Sequence, residues 1–338
     1  MQLRINKAET TEVVFGFSLE LFADLKLNYS KVVFVVDDRV YKLHRSKFLP
    51  QWQVILVEAN EDEKSWARAE AVIEKLADYQ VDKKGLLVGV GGGVITDLVG
   101  FVASIYMRGV AFALVPTTLL AAVDAAIGGK NGVNLGLVKN LIGTIMQPNY
   151  LLYDVAFFTT LPTDELANGF AEVIKYACIL DADLFDLLNQ HSLGDFESAP
   201  SLMLKLIKTS LQHKARVVEA DPLDNGLRRI LNFGHTMGHA IEKNYQLKHG
   251  FAVAIGMVFA AKLSEVYLGL PTAETQKIID LLTRYQLPTH LDWDKHQLLN
   301  LLAFDKKKDN QHLHFILLKQ IGQAQIIPIP LAELALLI

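Results

Sequence analysis

Short apolar runs alternate with segments of helical period through the first half of the chain. Val32-Val33-Phe34-Val35-Val36, ending in Asp37-Asp38, reads as a buried parallel strand. Val54-Ile55-Leu56-Val57-Glu58, Gly85-Leu86-Leu87-Val88-Gly89-Val90 and Ala113-Leu114-Val115-Pro116 predict three more strands, and the stretch from Glu63 to Tyr79 predicts a helix. Strands separated by helices imply a doubly wound, mainly parallel sheet with a binding crevice at the strand C-termini. The pattern changes near Leu161. Pro162, Pro200, Pro222, Pro271 and Pro288 then punctuate long amphipathic segments with few β-branched clusters, which predicts a mostly helical second domain. The expected fold is therefore α/β followed by α, with an N-terminal α/β domain over 1–158 and a helical domain over 159–338. Short β-like pieces return at 313–318 and 324–329.

Length supports that division, because 338 residues exceed the usual single domain and allow ample core. Hydrophobic residues make up 51% of the chain, too many for a disordered protein. No apolar run reaches the roughly 18–20 residues that span a bilayer. The start, Met1-Gln2-Leu3-Arg4-Ile5-Asn6-Lys7, lacks the apolar stretch of a secretory signal. A single cysteine, Cys178, excludes an intrachain disulfide and suits a reducing cytoplasm. The net charge of −4, with no basic run, gives no reason to expect nucleic acid or a membrane as partner.

Two loops suggest a phosphate-bearing cofactor. The strand at 85–90 runs into Gly91-Gly92-Gly93-Val94-Ile95-Thr96-Asp97 and then a helix-like segment. Glycines at such a junction let backbone N–H groups approach a diphosphate at the positive helix N-terminus, although a plain tight turn uses glycine too. The spacing is not the Gly-x-Gly-x-x-Gly fingerprint. Pro116-Thr117-Thr118 ends another strand and offers two hydroxyls. Asp38 and Glu61, at the ends of the first two strands, suit ribose hydroxyls or nicotinamide, or else cap helices.

The second half carries metal-ligand chemistry. His235 and His239 are four residues apart, so on a helix they share one face and can reach a common centre. Such a pair also arises by accident, but Arg228 and Asn232, two turns and one turn earlier, are expected to extend the same polar face. His249 follows a short loop. Glu172 stands among Phe170, Ala171, Val173 and Ile174, where a carboxylate needs a partner; Lys175 at i+3 or a metal supplies one. Lys130 after Gly128-Gly129, Lys139 beside Asn140, Lys214, Arg228 and the turn at 305–307 are scattered cations that suit a substrate bearing phosphate and carboxylate.

These motifs together resemble the 3-dehydroquinate synthase family of the sugar-phosphate cyclase superfamily. The carrying segments are GGGVITD at 91–97, RGVAFALVPTTLLAAVDAAIGGKNGVN at 108–134, KNLIG at 139–143, LPTDELANGFAEVIKY at 161–176, GLRRILNFGHTMGHAIE at 226–242, HGFAVAIGM at 249–257 and DKK at 305–307. The resemblance implies an NAD-binding α/β domain, a helical domain with one divalent metal (zinc or cobalt) and a homodimer. It implies a carbon–oxygen lyase acting on 3-deoxy-D-arabino-heptulosonate 7-phosphate: oxidation with NAD, phosphate elimination, re-reduction and intramolecular aldol closure to 3-dehydroquinate. The metal ligands become Glu172, His235 and His249, so His239 is released from that role and faces the substrate. Substrate contacts become Arg108, Asp124, Lys130, Asn140, Lys175, Lys214, Asp224, Arg228, Asn232 and Lys306. NAD contacts become Asp38, Glu61, Lys64, Gly92, Gly93, Val94, Ile95, Thr96, Asp97, Thr117, Thr118, Lys130, Lys139, Phe157 and Thr160.

The chain departs from the family pattern at Thr96 (usually Gly), Ala125-Ala126 (Ser-Ser), Asn131 (Thr), Asp224 (Glu) and Phe251 (Glu). Phe251 removes a carboxylate from beside a ligand, and Thr96 bears on the diphosphate turn. Three rival readings share the scaffold. They are a sibling cyclase making a valiolone or deoxy-inosose product, an NAD- and metal-dependent polyol dehydrogenase, and a non-catalytic binding protein. The cation set weighs against the first two, and the intact ligand set against the third.

Overall fold

The computed structural model describes residues 2–4, 10–24, 28–136, 138–221, 226–292 and 312–337. They form two compact units, Met1–Pro162 with Ala199–Pro222, and Thr163–Ser198 with Leu223–Ile338. The sequence reading placed one cut at 158/159, whereas the chain crosses back: the helix Pro200–Ala220 joins the first unit. It is held there by Lys214, whose Nζ donates to both the carbonyl oxygen and the carboxylate of Asp124 at 2.7 Å.

The first unit is built on strands β1 (Gln2–Arg4), β2 (Thr10–Phe15), β3 (Val32–Asp37), β4 (Gln53–Val57), β5 (Leu86–Gly91), β6 (Ala111–Pro116) and, further along the chain, Tyr150–Tyr153. Their order in the sheet is β1-β2-(Tyr150–Tyr153)-β6-β5-β3-β4, with every pair parallel except β1/β2. All six residues of β5 are buried, as expected for a central parallel strand covered on both faces. The chain runs outward from β3 to β4, then returns past β3 to β5. The order therefore reverses between β3 and β5, the place where open α/β sheets open a crevice at their strand ends. A short helix α1 (Asp38–Leu43) follows β3; the expected helix is α2 (Trp66–Asp78), capped by the Ser65 side chain, and α3 (Gly93–Ile105) follows β5 directly.

The segment from Asp124 to Asn140, whose many glycines predict no strand, lies within the first unit. Ala121–Ala125 forms one π-helical turn, and β7 (Lys130–Leu135) pairs with β8 (Val138–Ile145) in a two-stranded antiparallel ribbon. Gly132 faces Gly143 across the pair, and a Cβ on Gly132 would lie 2.9 Å from the Ile142 carbonyl oxygen.

Among the described residues the second unit is helical apart from the hairpin His312–Gln320 with Gln323–Pro330, which matches the β-like tail. Its centre is α4 (Thr163–Leu180), buried on every side from Leu166 to Ile179. Asp164 and Glu165 favour its positive N-terminus and pair with Lys248. Around α4 stand α5 (Ala182–Gln190), α6 (Leu193–Ser198), then, after Pro200–Ala220 (α7), α8 (His235–Tyr245), α9 (His249–Leu268) and α10 (Thr272–Arg284). Helix α9 is long and apolar enough to cross a membrane by composition, yet most of it is buried in this unit's core.

Candidate functional site

Glu172 stands midway along α4 with its side chain wholly buried. One turn earlier, Asn168 Oδ1 accepts the backbone N–H of Gly250 at 2.6 Å, seating the start of α9 on α4. A Cβ on Gly250 would overlap the Asn168 carbonyl oxygen, so this approach requires glycine. Helices α8 and α9 meet in the same way. Gly234 adopts φ +77° to begin α8, a Cβ on Gly238 would lie 3.0 Å from Val253 Cα, and one on Gly256 would enter the Gly234 carbonyl oxygen. Backbone-to-backbone packing thus brings His235 and His249, the first residues of their helices, onto one carboxylate.

His235 Nε2 and His249 Nε2 each lie 3.3 Å from Glu172 Oε1, and the three candidate ligand atoms fall within 4.8 Å of one another. The second nitrogen of each ring is engaged: His235 Nδ1 lies 3.1 Å from the Phe233 carbonyl oxygen, and His249 Nδ1 lies 3.1 Å from Glu242 Oε2. Lys175 Nζ pairs with Glu172 Oε2. Burial alone would raise the Glu172 pKa, but Lys175 and His235 hold it well below the usual carboxylate range. Burial, and then Lys175, lower His235. For His249 burial is outweighed by Glu172 and Glu242, which push it up to about 9. One carboxylate oxygen and two imidazole nitrogens converging in a buried pocket form a donor set for a divalent transition metal that leaves coordination positions open. The residues fit such an ion.

His239 lies on the same α8 face, its ring centroid 5.2 Å from that of His235, but it is not one of the converging three. Its side chain is solvent-exposed, yet desolvation by the surrounding chain, with His235 and His249 beside it, lowers its pKa to about 4, so it is a neutral imidazole at pH 7. Arg228 and Asn232 do not continue that face. A 3-10 turn, Leu227–Asn232, ends at Phe233, and the left-handed Gly234 starts a new helix. Arg228 is nonetheless buried, as is Lys175. Glu242 was missed in the sequence; its signal was its place at i+7 from His235, on the stripe that carries His239 at i+4.

In the first unit, Gly92 caps α3 and Gly93 opens it. Thr117 N–H donates to the Gly91 carbonyl at 2.9 Å, which sets the Thr117-Thr118 loop beside the glycines. A Cβ on Gly92 would lie 3.0 Å from Thr118 Cγ2. Thr117 Oγ1 is buried and makes no hydrogen bond to any described residue. A helix N-terminus without side-chain cap, bare glycine backbone and an unspent hydroxyl fit a diphosphate. Lys64, itself buried, pairs with Asp97 and donates to Asn140 Oδ1 at 2.6 Å, so three expected ligand contacts converge. Glu61 Oε1 accepts from Asn134 Nδ2 at 2.9 Å, Thr160 Oγ1 lies 2.7 Å from His44 Nε2, and Asp38 pairs with Lys42. Val94 is half-buried, Ile95 and Phe157 are buried, and Arg108, Lys130 and Lys139 are exposed. Asp224 and Lys306 lie outside the described residues.

Two family descriptions match consecutive parts of the chain: 3-dehydroquinate synthase N-terminal over residues 54–168 and 3-dehydroquinate synthase C-terminal over 169–308. The chain belongs to the 3-dehydroquinate synthase family. It is 41% identical over 313 residues to the 3-dehydroquinate synthase of Pyrococcus abyssi, covering 90% of this chain and 91% of that one. To the Streptococcus pneumoniae (strain ATCC 700669 / Spain 23F-1) enzyme it is 40% identical over 315 residues, covering 90% and 88%. The solved structure of 2-epi-5-epi-valiolone synthase from Streptomyces hygroscopicus, with NAD+ and Zn2+ bound, superposes with TM-score 0.88 at 28% identity over 98% of this chain and 97% of that one. A 2-deoxy-scyllo-inosose synthase complexed with carbaglucose-6-phosphate, NAD+ and Co2+ shares the fold, with TM-score 0.88 at 24% identity over 100% and 98%.

Within the 3-dehydroquinate synthase family, two of this chain's departures find local explanations. Thr96 sits in the first turns of α3 and returns its hydroxyl to the Gly93 carbonyl at 3.0 Å, so the glycine turn keeps its open backbone. Asn131 Nδ2 donates to the carbonyls of Gly129 and Met146 at 2.9 Å, and its side chain fills the space left by Gly100. Nothing in the structure explains Ala125-Ala126.

Proposed function

We propose that this chain converts 3-deoxy-D-arabino-heptulosonate 7-phosphate into 3-dehydroquinate and inorganic phosphate, with NAD and one zinc or cobalt ion bound. The observation that carries this reading is identity of about 40% to 3-dehydroquinate synthases over nine-tenths of the chain, against 28% and 24% to the valiolone and inosose synthases. The ion falls to Glu172, His235 and His249. The NAD diphosphate falls to Gly92, Gly93 and the start of α3, beside Thr117 and Thr118. When bound, the ion supplies a Lewis acid for a substrate hydroxyl, and NAD a hydride acceptor that is also the donor for its return.

The chain's own groups do the holding. Lys130 and the buried Arg228 take the anionic ends of the substrate, with Arg108, Lys175, Lys214 and Lys306 adding positive field. Asp124, oriented by Lys214, and the amides of Asn140 and Asn232 fix hydroxyls. His239, neutral at pH 7, accepts or returns a proton. Keeping one substrate oriented through phosphate loss and ring closure converts successive steps into intramolecular ones. A bound cofactor that both takes and gives back the hydride would leave no net oxidation.

The decisive assay follows phosphate release and NADH absorbance together, with and without chelator. The expected result is many phosphates released per chain with no NADH build-up, and loss of turnover with chelator. Stoichiometric NADH accumulation would move the chain to a polyol dehydrogenase.

A homodimer is part of this reading. Leu135, Val138, Leu141 and Ile145, all on the β7/β8 ribbon, are more than half exposed, a cluster of apolar surface that suits a second copy. Light scattering is expected to give twice the chain mass; the mass of one chain would remove the dimer.

A further inference from the structure

We propose that Glu242 is a positioning residue for the metal centre: its carboxylate accepts the Nδ1 hydrogen of His249 and so turns the Nε2 lone pair onto the ion. The inference rests on the metal reading above. His249 Nε2 lies 3.3 Å from Glu172 Oε1 while Nδ1 lies 3.1 Å from Glu242 Oε2, so the ring is held between two carboxylates on opposite edges. A neutral imidazole has one hydrogen. With that hydrogen on Nδ1 toward Glu242, the lone pair on Nε2 faces Glu172 and the centre, the arrangement by which outer carboxylates orient ligating histidines.

The two histidines are not secured alike. His235 gives its Nδ1 to the backbone carbonyl of Phe233, which no side-chain substitution removes. His249 opens α9 and depends on a side chain from α8. Glu242 is placed for this by periodicity, since it follows His235 and His239 on one stripe of α8. Phe251, two positions after His249, offers no carboxylate of its own to share that role.

The test uses the full chain stripped of metal and titrated with Co2+ against a chromophoric chelator, reading affinity, visible spectrum and metal-free thermal stability. Glu242→Ala is expected to bind Co2+ about 10–100-fold more weakly, with an altered cobalt spectrum. Glu242→Gln, whose amide oxygen still accepts the Nδ1 hydrogen, is expected to recover most of the affinity and guards against misfolding of the alanine variant. Unchanged Co2+ affinity and spectrum in Glu242→Ala would overturn the proposal, as would a loss confined to metal-free stability, which would make Glu242 a tie between helices. Absence of Co2+ binding by the unaltered protein would overturn the metal reading itself.

Discussion

Purified with alanine in place of His235, the protein is expected to carry no divalent metal, whereas His239→Ala is expected to keep about one ion per chain. Spacing treats the two histidines alike, because i and i+4 share a helix face. Tertiary placement separates them: His235 Nε2 is 3.3 Å from Glu172 Oε1, and the converging set takes its third member from His249 on the next helix. Removing His235 leaves two donors, His249 and the buried Glu172 beside Lys175, too few to hold an ion against a chelator. Metal analysis of both variants decides the matter. Equal loss in both would make the His235/His239 pair the ligand set.

The second large effect concerns charge. Arg228→Ala is expected to lower kcat/KM for the heptulosonate phosphate by one to two decades or more. A charge-assisted hydrogen bond contributes roughly 1.5–3 kcal/mol, and about 1.4 kcal/mol is one decade. The guanidinium is buried, where water and salt screen a charge-assisted contact little. Sedoheptulose 7-phosphate, which lacks the carboxylate, is correspondingly expected to be a poor substrate. Comparison of the two sugar phosphates checks this. Faster cyclisation of sedoheptulose 7-phosphate would replace the dehydroquinate reading with a valiolone-type one.

What the sequence made legible follows from what each signal depends on. The strands at Val32, Leu86 and Ala113 were readable because a central parallel strand is apolar on both faces, and the edge strand at Val54 from its unbroken apolar run. The glycine turn was readable because its role is local. The β7/β8 ribbon was not, since Gly128, Gly129, Gly132, Gly136 and Gly143 imitate a loop and Leu135, Val138, Leu141 and Ile145 face outward. The return of α7 to the first unit was hidden because Lys214 meets Asp124 across 90 residues. In the metal centre, Glu172 could be suspected from its apolar neighbours and His235 from its spacing. His249 came only through family resemblance, because it approaches Glu172 across 77 residues. The break at Gly234 defeated the helical continuation to Arg228, since glycine's left-handed conformation leaves no periodic trace.

The contact of α8 with α9 through Gly234, Gly238 and Gly256 has a consequence for metal choice. Backbone contact sets the separation of His235 from His249, and packed backbone does not yield to suit an ion's radius. Two imidazoles and one carboxylate accept several first-row ions, whose intrinsic affinities rise in a fixed order along the series whatever the protein. First-row divalent ions differ little in size, so even a fixed frame with so general a donor set discriminates little among them. The ion carried in the cell is therefore expected to follow which divalent metal is on offer when the chain folds, and protein from hosts fed different metals should differ in content while sharing one fold.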